Sequence, residues 1–475
     1  MASMTRREFM AAGAAFAAAG GRAPALAGAA GEPLLRLGMI SDPHLVVNDS
    51  GGGDQNSLCF EPALRYLDTR KADAIIVAGD LTDFGTASAL RKFASIWNTV
   101  FPGNMRSDGE PVVPLFIFGD HDMGGYMHKY SWAPADEVAS GVIPEMDVAA
   151  LWEECFGETW EPIQLKTVKG VKFVLAHHPR HNAESAHGNQ IPGLADFLSS
   201  QTFDPASPFF LVQHRMFKDT VLVPNCGWDN GTTTAILKNY PNAIAFCGHG
   251  HLNAADDLCL WQDEFTAIQI PSLNYCCTRP GRENGYNPFD DKEKESPFHP
   301  IMPKATIKKS WQGMFGTLYA DRFAVERRDF LNGLPLAPDW TVPLPSPDGS
   351  LKTGVRAQKS AAPQFSPCAK PVIVEKTVVN KENVATDAVV VSFPVAHETW
   401  STPRTYDYAV SVKTGGETVL EKYVYSKGQF WADGLDRGMV ECAFAKSDLP
   451  SGWRTSARFT VAPRDSFGNR GREIG

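Results

Sequence analysis

Aspartate and histidine recur at five places along the 475-residue chain, in short groups whose side chains can bind metal ions. The groups are Asp42-Pro43-His44, Gly79-Asp80-Leu81-Thr82-Asp83, Gly119-Asp120-His121-Asp122, Gln213-His214 and Gly248-His249-Gly250-His251. Carboxylate and imidazole ligands together suit borderline ions such as manganese, iron or zinc. The groups offer too many ligands for one ion and enough for two, and two ions about 3.5–4 Å apart promote in-line attack at phosphorus. One such aspartate is usually a turn or helix cap, but capping does not account for the whole ordered set.

Each group follows a short apolar run that is typical of a β-strand. The predicted strands are Leu35–Ile40, Ala74–Ala78, Leu115–Phe118, Val171–Ala176, Phe209–Val212 and Ile244–Cys247. Between them, amphipathic patterns predict helices over Leu58–Asp68, Ala87–Asn98, Val148–Cys155, Gly193–Ser200 and Thr233–Asn239. This alternation predicts an α/β domain with a buried sheet. Because ligands bind beyond the carboxyl ends of such strands, the five groups can converge on one crevice.

Later strand patterns differ from this alternation. Phe265–Ile270, Phe315–Tyr319 and Phe323–Arg327 predict a meander that adds a second sheet. After a proline-rich stretch, six β-rich runs without helical periodicity predict an all-β sandwich, which is fibronectin-like in architecture only and carries no function by analogy. The predicted domains are residues 31–345 for the α/β domain, 346–365 for a linker and 366–475 for the sandwich.

The amino terminus is predicted to be a targeting segment. Arg6 and Arg7 precede a stretch rich in alanine and glycine, and Ala25-Leu26-Ala27 offers a small-residue cleavage site. Residues 1–30 therefore resemble a bacterial twin-arginine signal peptide. The resemblance implies recognition by the export machinery and a periplasmic or secreted protein.

Composition excludes several classes of protein. Hydrophobic residues make up 43% of the chain and its formal net charge is −9, so binding to nucleic acid by charge alone is not expected. No apolar run is long enough to predict a membrane span. Nine cysteines are too few for a disulfide-dense scaffold. Most of the acidity lies in the α/β domain, where two divalent ions would reverse the local charge for a phosphorylated substrate.

The ordered set D-x-H, G-D-x-x-D, G-D-H-D, a lone histidine after a strand, and G-H-x-H resembles the motifs of the calcineurin-like metallophosphoesterases over roughly residues 34–330. The resemblance implies a two-sheet α/β/β/α sandwich and two divalent or mixed-valence ions of manganese, iron or zinc. One ion would be held by Asp42, His44, Asp80 and His251. The other would be held by Asp80, Asp120, His214 and His249, with Asp80 bridging. A hydroxide between the ions would attack phosphorus, His121 would stabilise charge or protonate the leaving oxygen, Asp122 would orient His121, and Asp83 would support the site.

Asp120 departs from the family pattern, which usually has asparagine at this position. An aspartate still offers a carboxylate oxygen, but it adds one negative charge to a site that must attract phosphate. The change could weaken phosphate binding, favour a more highly charged ion, or be a tolerated variant.

Two segments compete for the fourth motif. His177-His178-Pro179 looks like the histidine motif of the family, but it precedes the predicted helix Gly193–Ser200, whereas the metal histidine of the family follows that helix and the next strand. We therefore predict His214 as the ligand. The loop that begins at His177 is then either a solvated polar loop or a source of substrate contacts through His178 or Arg180.

The sequence thus predicts an exported dimetal hydrolase of a small phosphorylated substrate, either a phosphomonoester or a phosphodiester. The alternative is a non-catalytic exported binding protein with a degenerate metal site and an adhesive sandwich. His121 and Asp122 favour the enzyme, because binding alone does not require them.

Overall fold

The structure is a computed structural model. It describes residues 31–47, 57–122, 148–178, 191–221, 231–279, 281–284, 311–331, 333–379, 384–396, 404–426 and 438–475. The predicted signal peptide, residues 1–30, lies outside the described residues. No helix in these ranges is long and apolar enough to cross a membrane.

Eighteen strands are described. In chain order they are β1 Leu35–Ile40, β2 Ala74–Ala78, β3 Val113–Ile117, β4 Ile163–Val168, β5 Val171–Ala176, β6 Phe209–Val212, β7 Ala243–Cys247, β8 Leu260–Gln262, β9 Thr266–Gln269, β10 Gln312–Leu318, β11 Arg322–Asp329, β12 Leu334–Pro343, β13 Val372–Val379, β14 Ala385–Pro394, β15 Asp407–Thr414, β16 Glu417–Tyr425, β17 Met439–Ala445 and β18 Ala457–Arg464. The described α-helices are α1 Phe60–Thr69, α2 Ala87–Val100, α3 Val148–Phe156, α4 Leu194–Ser200, α5 Thr232–Leu237, α6 Thr353–Lys359 and α7 Trp453–Ser456.

Two six-stranded sheets form the first part of the chain. Their strand orders are β12-β11-β10-β1-β2-β3 and β4-β5-β6-β7-β9-β8. Strands β1 to β3 are parallel to one another, as are β5, β6, β7 and β9. Parallel pairing brings the carboxyl ends of these strands, and the loops that follow them, to one edge of each sheet.

The sheets face each other across one core and carry helices on their outer faces. Ile76 of β2 and Phe210 of β6 lie in the core between the sheets. Ile75 and Val77, on the opposite face of β2, pack with α1 and α2. In the second sheet, Leu211 of β6 packs with α4 and α5. Because both faces of the inner strands are covered, the strands are continuously apolar, and the layers are the predicted α/β/β/α sandwich.

The assignment of the later strands to sheets was wrong in part. Strands β10 and β11 were predicted to build the second sheet, but β10 pairs antiparallel with β1 and extends the first sheet. Strand β12 lies in the stretch predicted to be a proline-rich connection. It is tolerated as a strand because it is an edge strand of its sheet, where a missing N–H removes no essential ladder hydrogen bond.

The carboxyl-terminal part of the chain is all-β, as predicted. Two antiparallel three-stranded sheets, β13-β14-β17 and β16-β15-β18, pack their apolar faces together. Val391 of β14 and Val410 of β15 belong to this core. In the segment predicted as a linker, the structure has helix α6, whose Arg356 Nη1 donates to Leu260 O at 2.8 Å.

Candidate metal centre

The seven predicted metal-binding side chains meet at the carboxyl ends of strands from both sheets. Asp42, Asp80 and Asp120 follow β1, β2 and β3, while His214 and His249 follow β6 and β7. Backbone hydrogen bonds tie neighbouring loops together within each sheet: Asp42 N donates to Gly79 O at 3.1 Å and Gly248 N donates to His214 O at 2.8 Å. All seven side chains are buried.

Five of the seven residues have a left-handed backbone. The φ angles are 52° for Asp42, 46° for His44, 49° for Asp80, 62° for His249 and 51° for His251. This region is unfavourable for residues other than glycine and is sparsely populated. Strained residues of this kind cluster at functional sites, where the surrounding structure holds them in place.

The glycine that precedes several of these residues is required by close packing. A Cβ atom on Gly79 would overlap the His214 ring, and one on Gly119 would overlap Asp80 Oδ1. A Cβ atom on Gly248 would overlap Ser41 Oγ. The glycines of the sequence motifs therefore let the ligand-bearing loops approach one another.

The first group of ligand atoms comes from Asp42, His44, Asp80 and His251, all within 4.8 Å of one another. Asp42 Oδ1 lies 3.0 Å from His251 Nε2, and His44 Nε2 lies 3.3 Å from the same nitrogen. His44 Nδ1 is 2.9 Å from Asp83 Oδ1 and His251 Nδ1 is 3.1 Å from Tyr275 O. Because these oxygens accept, each Nδ1 donates, which leaves the Nε2 atoms of His44 and His251 to face the ligand group.

The second group consists of Asp80, Asp120, His214 and His249. His214 Nδ1 donates to Ala78 O at 2.7 Å, so Nε2 is the ring nitrogen that faces the group. That nitrogen lies 2.9 Å from Asp120 Oδ1 and 3.2 Å from Asp80 Oδ2, and these two buried oxygens receive no hydrogen bond. Asp80 belongs to both groups.

This arrangement fits two cations. Carboxylate oxygens and imidazole nitrogens converge in both groups, and a cation between them would stabilise the buried Asp80 Oδ2 and Asp120 Oδ1, which receive no hydrogen bond. Carboxylate with imidazole is a donor set for transition-metal ions. In His44, His214 and His251, the Nδ1 that the ring turns away from the group donates to a carboxylate or backbone oxygen, as is usual for metal-binding histidines.

Burial and mutual charge act against each other on the pKa values of the two groups. Burial alone would raise the pKa of Asp120, but the neighbouring charges of His249 and Arg215 hold it well below its ordinary range. Burial alone would lower the pKa of His214, yet Asp80 and Asp120 raise it well above its ordinary value. The site therefore keeps its carboxylates ionised in spite of their burial.

Sequence reasoning missed Arg215. Its buried guanidinium Nη2 lies 3.3 Å from Asp120 Oδ2, on the oxygen that does not face the ligand group. The only signal was its place directly after His214. The extra negative charge at Asp120 is thus matched by a positive charge from the chain itself.

His121 lies beside the first group, with its ring centroid 4.7 Å from that of His44 in an edge-to-face arrangement. Its Nδ1 donates to Asp83 O at 2.8 Å and lies 3.5 Å from Asp83 Oδ1. Burial alone would lower the pKa of His121, but the charge of Asp80 and the hydrogen bond to Asp83 raise it to about 10. Asp83 therefore contacts both His44 and His121.

Asp122 does not orient His121, which corrects the prediction. Its Oδ1 accepts from the backbone N–H and the hydroxyl of Thr82, and its Oδ2 accepts from the N–H groups of Leu81 and Gly119. These bonds use its acceptor positions, so Asp122 instead joins the loop after β2 to the loop after β3. Burial and the charge of Asp80 raise its pKa to about 7 against these hydrogen bonds.

The two histidines after β5 are buried, so they do not belong to a solvated loop. His177 Nδ1 accepts from Phe118 N at 3.0 Å, and its ring packs against Trp152 and Trp160. Burial lowers the pKa of both His177 and His178 to about 3. Neither belongs to the two ligand groups, whereas His214 does. Arg180, the other predicted substrate contact, lies outside the described residues.

Residues 35–253 match the family model described as calcineurin-like phosphoesterase. No curated protein matches the chain. Among solved structures, the chain is similar to a dimetal phosphatase from Danio rerio, with 11% identity, a TM-score of 0.37, and coverage of 66% of this chain and 99% of that one. It is also similar to a purple acid phosphatase from yellow lupin (Lupinus luteus) seeds, with 12% identity, a TM-score of 0.38, and coverage of 66% and 55%. Both TM-scores are low, so the family match bears on function and these structures do not.

Proposed function

Since the chain belongs, through residues 35–253, to the calcineurin-like phosphoesterases, which are metal-dependent hydrolases, we propose that it cleaves a small phosphomonoester or phosphodiester. The observation that carries this proposal is the pair of buried ligand groups that share Asp80. A shared carboxylate is what a two-ion centre needs, since one side chain must touch both ions.

The two groups would divide the ligands as follows. Asp42, His44, Asp80 and His251 would hold one ion, and Asp80, Asp120, His214 and His249 would hold the other. Manganese, iron and zinc all suit this donor set. When bound, such a pair of ions supplies an activated water and positive charge at the phosphate oxygens.

Charge supports an anionic substrate at this site. Asp42, Asp80 and Asp120 would offset part of the charge of the two ions, and Arg215 offsets Asp120 in turn. The charges of Asp120 and Arg215 cancel, so the site has the formal charge that an asparagine at position 120 would give it. The contact between Arg215 and Asp120 favours a tolerated variant at position 120 over weakened phosphate binding or a more highly charged ion.

His121 is the residue that would handle a proton at the leaving oxygen. Its Nδ1 is held by Asp83, which leaves Nε2 as the atom to face a substrate. The side chain is partly exposed, at 16%, whereas the metal-binding side chains around it are buried. Proton transfer by a positioned histidine contributes about 10²–10⁴-fold to a rate.

The test is to compare metal content and turnover in one preparation. We expect about two transition-metal ions per chain, and hydrolysis of p-nitrophenyl phosphate or bis(p-nitrophenyl) phosphate that is lost on chelation and restored by manganese. The ratio of the two rates decides between monoester and diester preference. Two bound ions with no turnover of either compound would favour the non-catalytic binding protein, and a metal-free, inactive protein would refute the two-ion hydrolase.

We also propose that the protein is exported to the periplasm or beyond. The support is the sequence of residues 1–30, with Arg6 and Arg7 before an alanine-rich stretch. Fractionation of a bacterial host tests this: the full chain should reach the periplasm, and a variant with Arg6→Lys and Arg7→Lys should remain in the cytoplasm. Equal export of both would contradict the twin-arginine route.

A further inference from the structure

A segment after β9 touches the candidate metal centre directly. We call residues 272–279 and 281–284 the strap. His251 Nδ1 donates to Tyr275 O at 3.1 Å, and Cys277 N donates to His251 O at 2.6 Å. The Tyr275 ring lies 4.2 Å from the His251 ring, centroid to centroid. The strap therefore holds both the backbone and the ring of one predicted metal-binding residue.

The other end of the strap is held by the β-sandwich. Arg279 places its guanidinium 3.7 Å from the centroid of the Tyr406 ring, and its Nη2 donates to Ser466 O at 2.8 Å. Arg282 donates from Nε and Nη2 to Asp407 Oδ2, at 2.9 and 2.8 Å. Asp407 is fully buried, so this ion pair is shielded from solvent.

The strap also follows the edge strand β16 of the sandwich. Glu283 N donates to Tyr423 O at 2.8 Å. Asn284 Nδ2 donates to Tyr425 O at 3.0 Å, and its Oδ1 accepts from Tyr425 N at 2.7 Å. Backbone and side-chain bonds thus fix the strap end to a sheet rather than leaving it as a surface loop.

These contacts connect the sandwich to His251 through a short run of chain. A metal-binding histidine depends on the acceptor of its second ring nitrogen, and loss of that partner typically lowers metal affinity by about 10–100-fold. Here the acceptor is a strap carbonyl, whose position depends on where the strap is anchored. Breaking a buried ion pair by removing one partner is strongly unfavourable, so the anchor is firm.

We propose that the β-sandwich is a positioning domain for the metal centre: Arg279 and Arg282 anchor the strap so that Tyr275 O holds the His251 ring for the first ion. The proposal rests on the proposed two-ion site. It assigns the sandwich a role in the hydrolase itself, and Arg279 and Arg282 are positioning residues that touch neither metal nor substrate.

Asp407 offers a matched pair of variants. Arg464 of β18 also contacts this carboxylate, with Nε 2.7 Å from Oδ1 and Nη2 2.7 Å from Oδ2, but it lies within the sandwich. The Arg282 and Arg464 side chains are equally exposed, at 14%. Arg282→Gln removes the strap residue that pairs with Asp407. Arg464→Gln removes the other partner of the same carboxylate and changes no strap residue.

Manganese titration of the apoprotein by calorimetry is the first measurement. We expect Arg282→Gln to weaken one of two binding events by about tenfold and to leave the other unchanged. Arg464→Gln should bind both ions as the unmodified protein does, even if it lowers the melting temperature as much as Arg282→Gln does. Arg279→Gln serves as the second strap variant if Arg282→Gln does not fold.

Amide hydrogen exchange at Cys277, whose N–H donates to His251 O, is the second measurement. It should be faster in Arg282→Gln and unchanged in Arg464→Gln. The proposal is overturned if Arg282→Gln and Arg464→Gln bind manganese with the same affinity, whether that affinity is unchanged or reduced in both. It is also overturned if the Cys277 amide exchanges at the same rate in the two variants. Failure of the unmodified protein to bind manganese would instead refute the proposed function, and the exchange comparison would still decide whether Arg282 holds the strap.

Discussion

Arg215 places its guanidinium Nη2 3.3 Å from Asp120 Oδ2, and both side chains are buried. A buried carboxylate in the candidate metal centre thus has its own counter-charge. The other oxygen of Asp120 faces His214 and remains directed into the ligand group. Asp120 and Arg215 therefore act as a unit.

Replacing Arg215 should weaken the binding of phosphate-like anions. Arg215→Met leaves the charge of Asp120 uncompensated, and a unit charge at about 4 Å is worth at most about 4 kcal/mol at an effective dielectric of about 20. We expect the competitive inhibition constant of vanadate to rise about tenfold, which corresponds to about 1.4 kcal/mol. Asp120→Asn in the same chain should restore inhibition, because it removes the uncompensated charge. Independent, additive effects of the two substitutions would contradict the pairing.

Asp80 should matter for both ions and Asp42 for one. Asp80→Ala removes the carboxylate that the two groups share, so we expect both ions to be lost more readily than in Asp42→Ala. Elemental analysis after graded chelation measures the difference. Equal loss in the two variants would remove the bridging role of Asp80.

His121 should affect turnover without affecting metal content. His121→Ala is expected to retain the ions and to lower the rate by about 10²–10⁴-fold. The comparison is Asp83→Asn, which keeps the backbone oxygen that accepts from His121 Nδ1 and changes only the side-chain charge beside it, so it should reduce the rate less. A His121→Ala protein that loses its ions would show that the residue is a ligand.

Alanine substitution of the two candidates for the fourth motif, His214 and His177, should have different effects on metal content and stability. His214→Ala is expected to lose one ion, since its Nε2 faces Asp80 and Asp120. His177→Ala should keep both ions and lower the free energy of unfolding by about 1–3 kcal/mol, because it leaves the buried Phe118 N–H without its acceptor. Denaturant unfolding and metal analysis of both proteins test this. Metal loss in the His177 variant alone would move the motif to residue 177.

Gly119 should not tolerate a side chain. Gly119→Ala would press a methyl group against Asp80 Oδ1 and should reduce metal content together with the melting temperature. Gly354→Ala is the matched control, since nothing lies within 4 Å of its added Cβ atom and the residue is in helix α6. Alanine there should stabilise the helix by up to about 1 kcal/mol. A Gly119→Ala protein with full metal content would contradict the packing argument.

Much of this protein could be predicted from its sequence, because the information is local. Strand β1 and strand β6 have the predicted bounds, since short apolar runs between turn residues specify strands that are buried on both faces. The ligand residues directly follow such strands, and parallel pairing carries them to one edge. The first and second ligand groups bring together the side chains that the family resemblance implied, and their role in binding metal stays a prediction.

Only the tertiary structure decided which distant side chains meet. Arg215 is 95 residues from Asp120 in the chain, and Arg282 is 125 residues from Asp407. Neither pairing leaves a periodic or motif signal. The partner of His121 is Asp83 and not Asp122, because the two loops pack so that backbone N–H groups take the oxygens of Asp122. Local backbone preferences depend on residues that are neighbours in the sequence. Pairings such as these depend instead on how whole helices and strands pack, and that packing forms only when the chain folds.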